Sequence, residues 1–341
     1  MRALVCHEYG SYENLRIEDV AAPAMKPGHI RVAVHAAGVS FAAMLGIQGK
    51  HQNKPGLPYV PGNELSGVVT EVAPDVDGFK PGDRVISPCQ SGAFGAEVVT
   101  PAFNAHRMPD SMSFAAGTNF PTLYPTAYGA LRWKAQLRRG EVLLVHGAGG
   151  GSGLTAVEIG KAMGAVVIAT AGGADKLAMA KKLGADHGID SRSEDIRARV
   201  LEITGGRGAD VIYDPVGGEV FDASMRCVAP EGRIIPMGFA SGKVPQIPAN
   251  ILLVKNITVI GFYYGYYNGW GARHGETLVE GELDRRRSMV REAMSEMFRW
   301  YEAGWLKPPA AGHFPLDRWV EAFRLIEDRK VVGKASLDPT V

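Results

Sequence analysis

The residues whose types and spacing most clearly indicate chemistry are the glycines of Ala148-Gly-Gly-Gly-Ser-Gly153, close to the pattern G-x-G-x-x-G with alanine in the first glycine's place. The apolar run Val142 to Val145 precedes them, and Leu154, Val157 and Met163 follow at helical spacing. A glycine turn between a buried strand and a helix N-terminus lets the backbone approach a pyrophosphate and presents free N–H groups to it. The spacing therefore predicts a dinucleotide-binding site, with a tight turn that binds nothing as the alternative.

The residues after the next strand bear on the 2′ position of the coenzyme. A site for NAD usually carries an acidic residue about 20 residues beyond the glycines, bonded to the ribose 2′-hydroxyl. Here the strand ends at Thr170, and Gly172 and Gly173 follow without a carboxylate before Asp175 and Lys176. We interpret Asp175 as the N-cap of the next helix. A glycine pocket beside a lysine suits a 2′-phosphate, so the sequence favours NADPH over NADH.

The elements that would position these residues fall into two regions. Up to about residue 120, short β-rich runs alternate with Pro-Gly turns, which is typical of a small, irregular β-barrel or sandwich. From there strands and helices alternate, which predicts an α/β fold with a doubly wound parallel sheet. The tail, with two apolar helix faces and a last strand near Ala335, is predicted to return to the first region. We expect domain segments at 1–122, 123–264 and 265–341.

Composition limits the classes of function. The 341 residues suggest two domains, and 46% apolar with 21% charged residues is typical of a soluble globular enzyme. The 37 basic and 36 acidic residues nearly cancel, so we expect neither nucleic-acid nor membrane binding. We find no membrane-length apolar run and no signal peptide. Three scattered cysteines, Cys6, Cys89 and Cys227, argue against disulfides and fit a reducing cytoplasm.

The polar, glycine-bearing interval from Gly265 to Arg287 is predicted to be a surface loop. The alternative is a mobile flap over a substrate, in which Arg273 and the run Arg285 to Arg287 meet an anionic group. Three histidines, His35, His106 and His187, have no cysteine or acid at ligand spacing, and we expect structural roles for them.

Further motifs extend over nearly the whole chain. They are Leu57-Pro-Tyr-Val-Pro-Gly-Asn-Glu64 with Gly67-Val-Val69, Phe79-Lys-Pro-Gly-Asp-Arg-Val85, Leu183-Gly-Ala-Asp186, Asp214-Pro-Val-Gly-Gly218 and Val332-Gly-Lys334. With the glycine motif, they resemble the medium-chain dehydrogenase/reductase superfamily and, within it, the zinc-independent quinone oxidoreductase branch. The resemblance implies a GroES-like catalytic domain at 1–122 and 265–341, a Rossmann NADPH-binding domain at 123–264, and a homodimer.

The residues at the family's zinc-ligand positions are poor ligands for zinc. Zinc-dependent relatives use a cysteine after the Gly-Val pair and a histidine before the glutamate, and this chain has Ser40 and Asn63 there. A hydroxyl and an amide are poor zinc ligands beside thiolate and imidazole. Glu64 alone makes no zinc site, and Cys89 lacks the neighbours of a structural zinc lobe. We predict that no metal is bound.

Without a metal, the resemblance implies hydride delivery from NADPH to a quinone or to the β-carbon of an enone, a small hydrophobic electrophile. The protein would supply orientation, an apolar slot and one hydrogen-bond donor. By analogy the slot lies between the domains, and its lining is Ser40, Leu45, Tyr59, Asn63, Tyr124 and Tyr263. Ser40, Tyr124 and Tyr263 are the candidate donors, and a purely structural role is the alternative for each.

The resemblance also assigns the coenzyme contacts. Thr126, Gly238, Phe239, Ala240, Phe262 and Tyr263 would lie near the nicotinamide. Gly149, Gly150, Gly151, Ser152 and Gly153 would bind the pyrophosphate. Thr170, Gly173, Lys176, Ser191 and Arg192 would surround the 2′-phosphate, while Val216 and Gly217 would border the adenosine.

Three departures from the family pattern bear on the acceptor. Ser40, Ala43 and Leu45 stand where the quinone reductases have asparagine, aspartate and tyrosine, and Ser191 replaces a tyrosine, with Arg192 beside it to compensate. The site is therefore less polar than is usual in the branch. Two alternatives stay open, an enoyl-thioester reductase and an NADPH-binding protein with little turnover.

Overall fold

The structure is a computed structural model in which residues 1–51, 54–269, 281–328 and 330–341 are described. The chain divides into two units, one of Met1–Thr122 with Pro308–Val341 and the other of Leu123–Lys307. The sequence placed the return to the first unit at residue 265, whereas in the structure it begins at Pro308. The long helix before Pro308 packs in the second unit, where the Tyr128 hydroxyl donates to the Glu296 carboxylate.

Fifteen strands lie in the described part of the chain. They are β1 (Arg2–Val5), β2 (Arg16–Asp19), β3 (His29–Val39), β4 (Glu64–Val72), β5 (Arg84–Pro88), β6 (Glu97–Pro101), β7 (His106–Arg107), β8 (Val142–Val145), β9 (Val166–Ala171), β10 (His187–Asp190), β11 (Ala209–Asp214), β12 (Val228–Pro236), β13 (Thr258–Val259), β14 (Ala310–Pro315) and β15 (Lys334–Asp338).

Ten α-helices accompany them within the same described residues. They are α1 (Phe41–Ile47), α2 (Phe114–Gly117), α3 (Leu123–Tyr128), α4 (Gly151–Ala162), α5 (Ala174–Lys182), α6 (Ile196–Ile203), α7 (Glu219–Cys227), α8 (Ala249–Lys255), α9 (Glu282–Glu302) and α10 (Trp319–Glu327). Short 3-10 turns occur at Tyr12–Asn14, Ala102–Asn104, Tyr264–Tyr266 and Leu316–Arg318, and α3 continues into a π-helical segment, Gly129–Lys134.

The first unit is built on a seven-stranded sheet of order β14-β15-β3-β4-β5-β7, with β6 also paired to β3. All pairs are antiparallel except β14 with β15. Ile30, Val32 and Val34 are fully buried while their neighbours on β3 are half-buried, as expected for a strand with one face on a core. That core continues onto α10 through Phe323.

The second unit contains a six-stranded parallel sheet of order β10-β9-β8-β11-β12-β13. Counted from β8, this is the order 3-2-1-4-5-6 of dinucleotide-binding folds, whose ligands lie beyond the carboxyl ends of the strands at the point where the order reverses. Leu143 to Val145 are fully buried because helices cover both faces of the sheet. The doubly wound parallel sheet predicted from the sequence is confirmed.

No helix among the described residues is long and apolar enough to cross a membrane.

Candidate functional site

The glycine turn lies between β8 and α4, at the reversal point of the parallel sheet. Gly147 has φ +59°, and Gly150 is the N-cap of α4, where no side chain accepts a hydrogen bond from the helix amides. A Cβ on Gly153 would lie 2.4 Å from the Gly147 carbonyl oxygen, so only glycine allows the helix to pack against the turn. A Cβ on Gly150 would meet only that same oxygen, at 3.8 Å, so the start of the helix is open. These residues fit a phosphate group at the helix N-terminus.

Two cations flank the predicted 2′-phosphate pocket. The Lys176 side chain lies over Gly149, where an added Cβ would be 2.4 Å from its Cδ. Arg192 lies over Gly172, where an added Cβ would be 2.8 Å from its Nε. The structure therefore brings both predicted basic residues to the glycines at the carboxyl ends of the first two parallel strands. The half-buried Lys176 and the exposed Arg192 can both meet an anion.

The loop that carries Arg192 is organised by Asp190. One oxygen of Asp190 accepts the amide hydrogens of Gly173 at 3.1 Å and of Arg192 at 3.0 Å. Hydrogen bonds from these amides hold the pKa of Asp190 below its usual value. Ser191 donates its amide to the Ala171 carbonyl at 3.1 Å, which ties the loop to β9. Asp190 was not singled out from the sequence, although its place at the end of a parallel strand is a detectable signal.

The N-cap prediction for Asp175 is wrong. The N-cap of α5 is Gly173, whose φ of +100° requires glycine, and no side chain caps the helix. Asp175 lies in the first turn of α5, where its charge still complements the helix dipole.

Thr170 does not offer its side chain to a coenzyme. It is 2% exposed, and its hydroxyl lies 3.0 Å from Nδ1 of His146, whose Nε2 lies 2.8 Å from the Ser224 hydroxyl. Burial lowers the pKa of His146, so the imidazole is neutral. His146 was not predicted from the sequence, because strand periodicity does not reveal which polar side chains pair inside a sheet layer.

The residues predicted for the adenosine and nicotinamide sides cluster after β11 and β12. Asp214 accepts the amides of Val216 at 2.8 Å and Gly217 at 3.0 Å. Ala240 donates its amide to the Pro215 carbonyl at 3.1 Å, which brings the segment Gly238, Phe239 and Ala240 against Val216. Ser152 joins the same strand end, with its hydroxyl 2.8 Å from that of Tyr213.

Aromatic residues cluster near the end of α3. Phe262 contacts Gly129, where an added Cβ would be 2.6 Å from its Cζ, and its ring centroid lies 5.7 Å from that of Tyr267. Tyr263 is 45% exposed and lies over Gly265. Thr126, on α3, is half-buried. Tyr263 is thus partly exposed and stays a candidate donor.

The structure corrects the assignment of Tyr124 as a donor. Its side chain is fully buried, and its hydroxyl donates to Glu158 at 2.7 Å. Burial raises the pKa of Tyr124 well above its ordinary value and the pKa of Glu158 to about 7. The hydroxyl is committed to this interior contact, so it has no free hydrogen for a substrate.

In the first unit, Ser40 and Asn63 are brought together. The Ser40 hydroxyl caps α1 by accepting the Ala43 amide at 3.1 Å, and it donates to Oδ1 of Asn63 at 3.5 Å. Leu45, on α1, and Tyr59, in the loop before β4, are both half-buried. Ser40 thus has a structural role as a cap, and its weak contact with Asn63 leaves amide hydrogens of Asn63 to donate.

The Glu64 carboxylate is paired with a lysine ammonium. It is fully buried, and its two oxygens accept hydrogens from the Lys334 ammonium and the Thr122 hydroxyl. Gly38 packs on this pair, since an added Cβ would lie 2.7 Å from Cε of Lys334. Burial raises the pKa of Cys89 to about 12, so that thiol stays protonated. Among the described residues, no three His, Cys, Asp or Glu side chains are grouped as metal ligands.

Arg285 to Arg287, which were predicted to lie in a surface loop with a flap as the alternative, lie instead in α9 and pair with acids on that helix. Arg285 and Arg286 contact Glu282 at 2.8 and 2.9 Å, and Arg287 contacts Asp284 at 3.3 Å. These pairs give no support to an anion site formed by this run of arginines. Arg273 lies outside the described residues.

Comparisons with known proteins agree with this architecture. The family model "Alcohol dehydrogenase GroES-like domain" matches residues 26–110, and "Zinc-binding dehydrogenase" matches residues 151–274. The quinone oxidoreductase-like protein 2 homolog of Nematostella vectensis is 38% identical over 340 residues, which are 99% of this chain and 88% of that protein.

Two solved structures are similar over their full length. Escherichia coli quinone oxidoreductase complexed with NADPH is 29% identical, with a TM-score of 0.88 and coverage of 99% of this chain and 100% of that one. A 2-haloacrylate reductase is also 29% identical, with a TM-score of 0.84 and complete coverage of both chains, 100% each. The fold class predicted from the sequence is confirmed. The chain is an oxidoreductase and belongs to the quinone oxidoreductase branch of the medium-chain dehydrogenase/reductase superfamily.

Proposed function

We propose that this protein is an NADPH-dependent reductase that delivers a hydride, without zinc, to a quinone or to the β-carbon of an α,β-unsaturated carbonyl compound. The observation that carries the choice of coenzyme is the position of Lys176 and Arg192 over the glycines Gly149 and Gly172. Each charge-assisted hydrogen bond to a phosphate contributes about 1.5–3 kcal/mol, and NADH would not form these bonds. The E. coli relative solved with NADPH supports the same choice.

The chemistry of the first unit supports reduction without a metal. Ser40 and Asn63 offer a hydroxyl and an amide, and the buried Glu64 carboxylate already has Lys334 as its counter-ion. The protonated Cys89 thiol is a poor ligand, because metal binding requires the thiolate. A soft, negatively charged ligand set of the kind that holds catalytic zinc is thus missing from these residues.

NADPH, when bound, supplies the hydride from its nicotinamide ring. The helix start at Gly150 to Gly153 would hold the pyrophosphate, and Lys176 with Arg192 would hold the 2′-phosphate. A conjugated acceptor delocalises the incoming charge onto its own oxygen, so the protein needs only one donor to stabilise that oxygen. Tyr263 and Asn63 are our candidates for this donor, since the Tyr124 hydroxyl is committed to Glu158.

The acceptor is proposed to be a small hydrophobic electrophile. The names of the relatives point to two related classes, quinones and 2-haloacrylates, and both accept a hydride at a carbon conjugated to a carbonyl group. A homodimer is proposed from the family resemblance alone. A reducing compartment such as the cytoplasm is proposed from the three cysteines, which are free and buried.

The test follows the loss of NADPH absorbance with a panel of a quinone, an enone and an enoyl thioester, after dialysis against a metal chelator. Oxidation with the quinone or the enone, unchanged by the chelator, is the expected result. Turnover with the thioester alone would transfer the assignment to enoyl-thioester reductases. Binding of NADPH without turnover of any acceptor would contradict the reductase function and favour a binding protein.

A further inference from the structure

A cleft of about 450 Å³ lies in the second unit, at the end of α4 opposite to the glycine turn. Ten residues of helix separate Gly151 from Lys161, a distance of about 15 Å along the axis. The cleft is therefore separate from the predicted coenzyme contacts. We call it the distal cleft. Its charged and aromatic lining residues are Arg139, Lys161, Lys182, Lys307, Trp305 and Glu158.

Cations from four separate segments converge on the distal cleft. Lys161 is paired with Asp186 at 2.9 Å. Within the described part of the chain, Arg139, Lys182 and Lys307 form no salt bridge, and all three are exposed. Because none of these three cations forms a salt bridge, their like charges repel one another, and their grouping does not stabilise the fold by itself.

Glu158 offsets part of this positive charge through its electrostatic interaction with Lys307, but it forms no ion pair with the cations of the cleft. It is 1% exposed, and its oxygens accept the Tyr124 hydroxyl at 2.7 Å and the Lys307 amide at 2.5 Å. Burial raises the pKa of Glu158 to about 7, so below neutral pH the carboxyl is largely protonated. The floor of the distal cleft is thus polar without carrying a full negative charge.

Trp305 adds an aromatic surface at the mouth. The residue is 59% exposed, although a large tryptophan usually buries most of its surface. Gly304, with φ +76°, turns the chain after α9, and the Trp305 amide donates to the Trp300 carbonyl at 2.8 Å. The end of the helix therefore fixes the backbone that carries the exposed ring.

Helix dipoles explain only part of this pattern. Lys161 and Lys182 lie in the last turns of α4 and α5, where positive charge complements the carbonyl end of a helix. Arg139 and Lys307 lie outside the α-helices, so this reason does not apply to them. Their convergence with an exposed indole requires another explanation.

We propose that the distal cleft binds a small organic anion with a planar ring. The anionic group lies among Arg139, Lys182 and Lys307, and the ring packs on Trp305. Guanidinium and ammonium groups recognise phosphate by charge-assisted hydrogen bonds, and an indole face recognises a flat ring. The volume of the cleft falls within the range of about 300–1,000 Å³ that is typical of small-molecule sites.

Phenyl phosphate is the probe, and isothermal titration calorimetry on the full chain, with and without saturating NADPH, is the measurement. We expect one site whose affinity does not depend on NADPH. Inorganic phosphate and benzyl alcohol, which each lack one of the two recognised groups, are expected to bind about tenfold more weakly or worse, since a loss of about 1.4 kcal/mol is tenfold. Displacement of the probe by NADPH would place it in the coenzyme site and overturn the proposal.

Two variants test where the probe binds, and a third variant is the matched control. In Arg139→Gln/Lys182→Gln, we expect the affinity for phenyl phosphate to fall at least about tenfold, from the loss of charge-assisted hydrogen bonds. In Trp305→Ala, the preference for phenyl phosphate over inorganic phosphate is expected to disappear. Arg197→Gln/Lys134→Gln removes the same two charges from exposed positions outside the distal cleft, and its affinity is expected to be native. Equal losses in both double variants would mean nonspecific attraction and would overturn the proposal.

Discussion

Each unit buries one glutamate, and the two units stabilise it by different means. In the first unit, the fully buried Glu64 accepts hydrogens from the Lys334 ammonium and the Thr122 hydroxyl. In the second, Glu158 receives hydrogen bonds from the Tyr124 hydroxyl and the Lys307 amide, and no cation contacts its carboxyl group among the described residues. The first carboxylate is compensated by charge, whereas the second is accommodated by a raised pKa of about 7.

The two glutamates differ in whether a cation contacts the carboxyl group. Glu64 follows Asn63 at the position where zinc-dependent relatives have a ligand, and Lys334 supplies the positive charge there. Glu158 has no such partner, and it joins α3 to Lys307, the last residue of the second unit. We therefore expect the first unit to be sensitive to loss of the Lys334 charge, and Glu158 to make the stability of the second unit depend on pH.

The largest effect is expected from Lys334→Met. This change leaves a buried carboxylate without its cation, which costs about 3–5 kcal/mol of the free energy of unfolding. Chemical denaturation measures the loss. The double variant Glu64→Gln/Lys334→Met removes both charges and is expected to recover most of it. An exposed ion pair contributes about 1 kcal/mol or less. A loss below that level in Lys334→Met would show that Lys334 does not compensate the buried charge of Glu64.

Glu158→Gln is expected to change the pH dependence of stability. The ordinary pKa of 4.5 is raised to about 7 by burial, so the folded carboxyl holds its proton to higher pH than the unfolded one. The contribution of Glu158 to stability therefore falls as pH rises from 4.5 to about 7, by about 3 kcal/mol in total. The difference in unfolding free energy between native and Glu158→Gln chains should follow this curve. A difference that is constant with pH would contradict the comparison.

Tyr124→Phe removes one of the hydrogen bonds that Glu158 accepts. Since the other partner is a single backbone amide, we expect a loss of about 2 kcal/mol. The reductase rate is expected to stay near native, because the hydroxyl serves the interior. A fall in kcat of about a hundredfold or more at native stability, the size of a lost general acid, would restore Tyr124 as a proton donor.

Thr122→Val is the matched change at Glu64, and its effect is expected to be the smallest. Lys334 still compensates the carboxylate, so the lost hydrogen bond should cost about 1 kcal/mol or less. A cost equal to that of Tyr124→Phe would mean that the two carboxylates depend equally on their hydroxyl partners. Denaturation of both variants under the same conditions gives the comparison.

Local pattern was sufficient to predict much of this structure. The apolar run before Gly149 and the glycines of the turn indicated the parallel sheet and the helix that follows the turn, because both signals lie within one strand-turn-helix unit. Lys176 was predicted from its place after the second strand and Arg192 from the family resemblance, and the structure places both side chains over glycines at the same edge of the sheet.

Pairing over long sequence separations was not predictable in the same way. Lys334 is 270 positions away from Glu64, and no periodicity links them. Tyr124 and Thr170 were assigned to the site from the family resemblance, but their side chains turn inward to Glu158 and His146. The return to the first unit was placed too early because an amphipathic helix such as α9 does not specify which core it covers.

The central claim is that Lys176 and Arg192 select NADPH, and the ratio of kcat/KM for NADPH to that for NADH tests it most directly. We expect the native chain to prefer NADPH by at least about a hundredfold, since two charge-assisted contacts contribute about 3 kcal/mol or more, and Lys176→Ala/Arg192→Ala to lose most of this preference through a higher KM for NADPH. The kcat/KM for NADH should change little in the variant. Equal use of both coenzymes by the native chain would contradict the account.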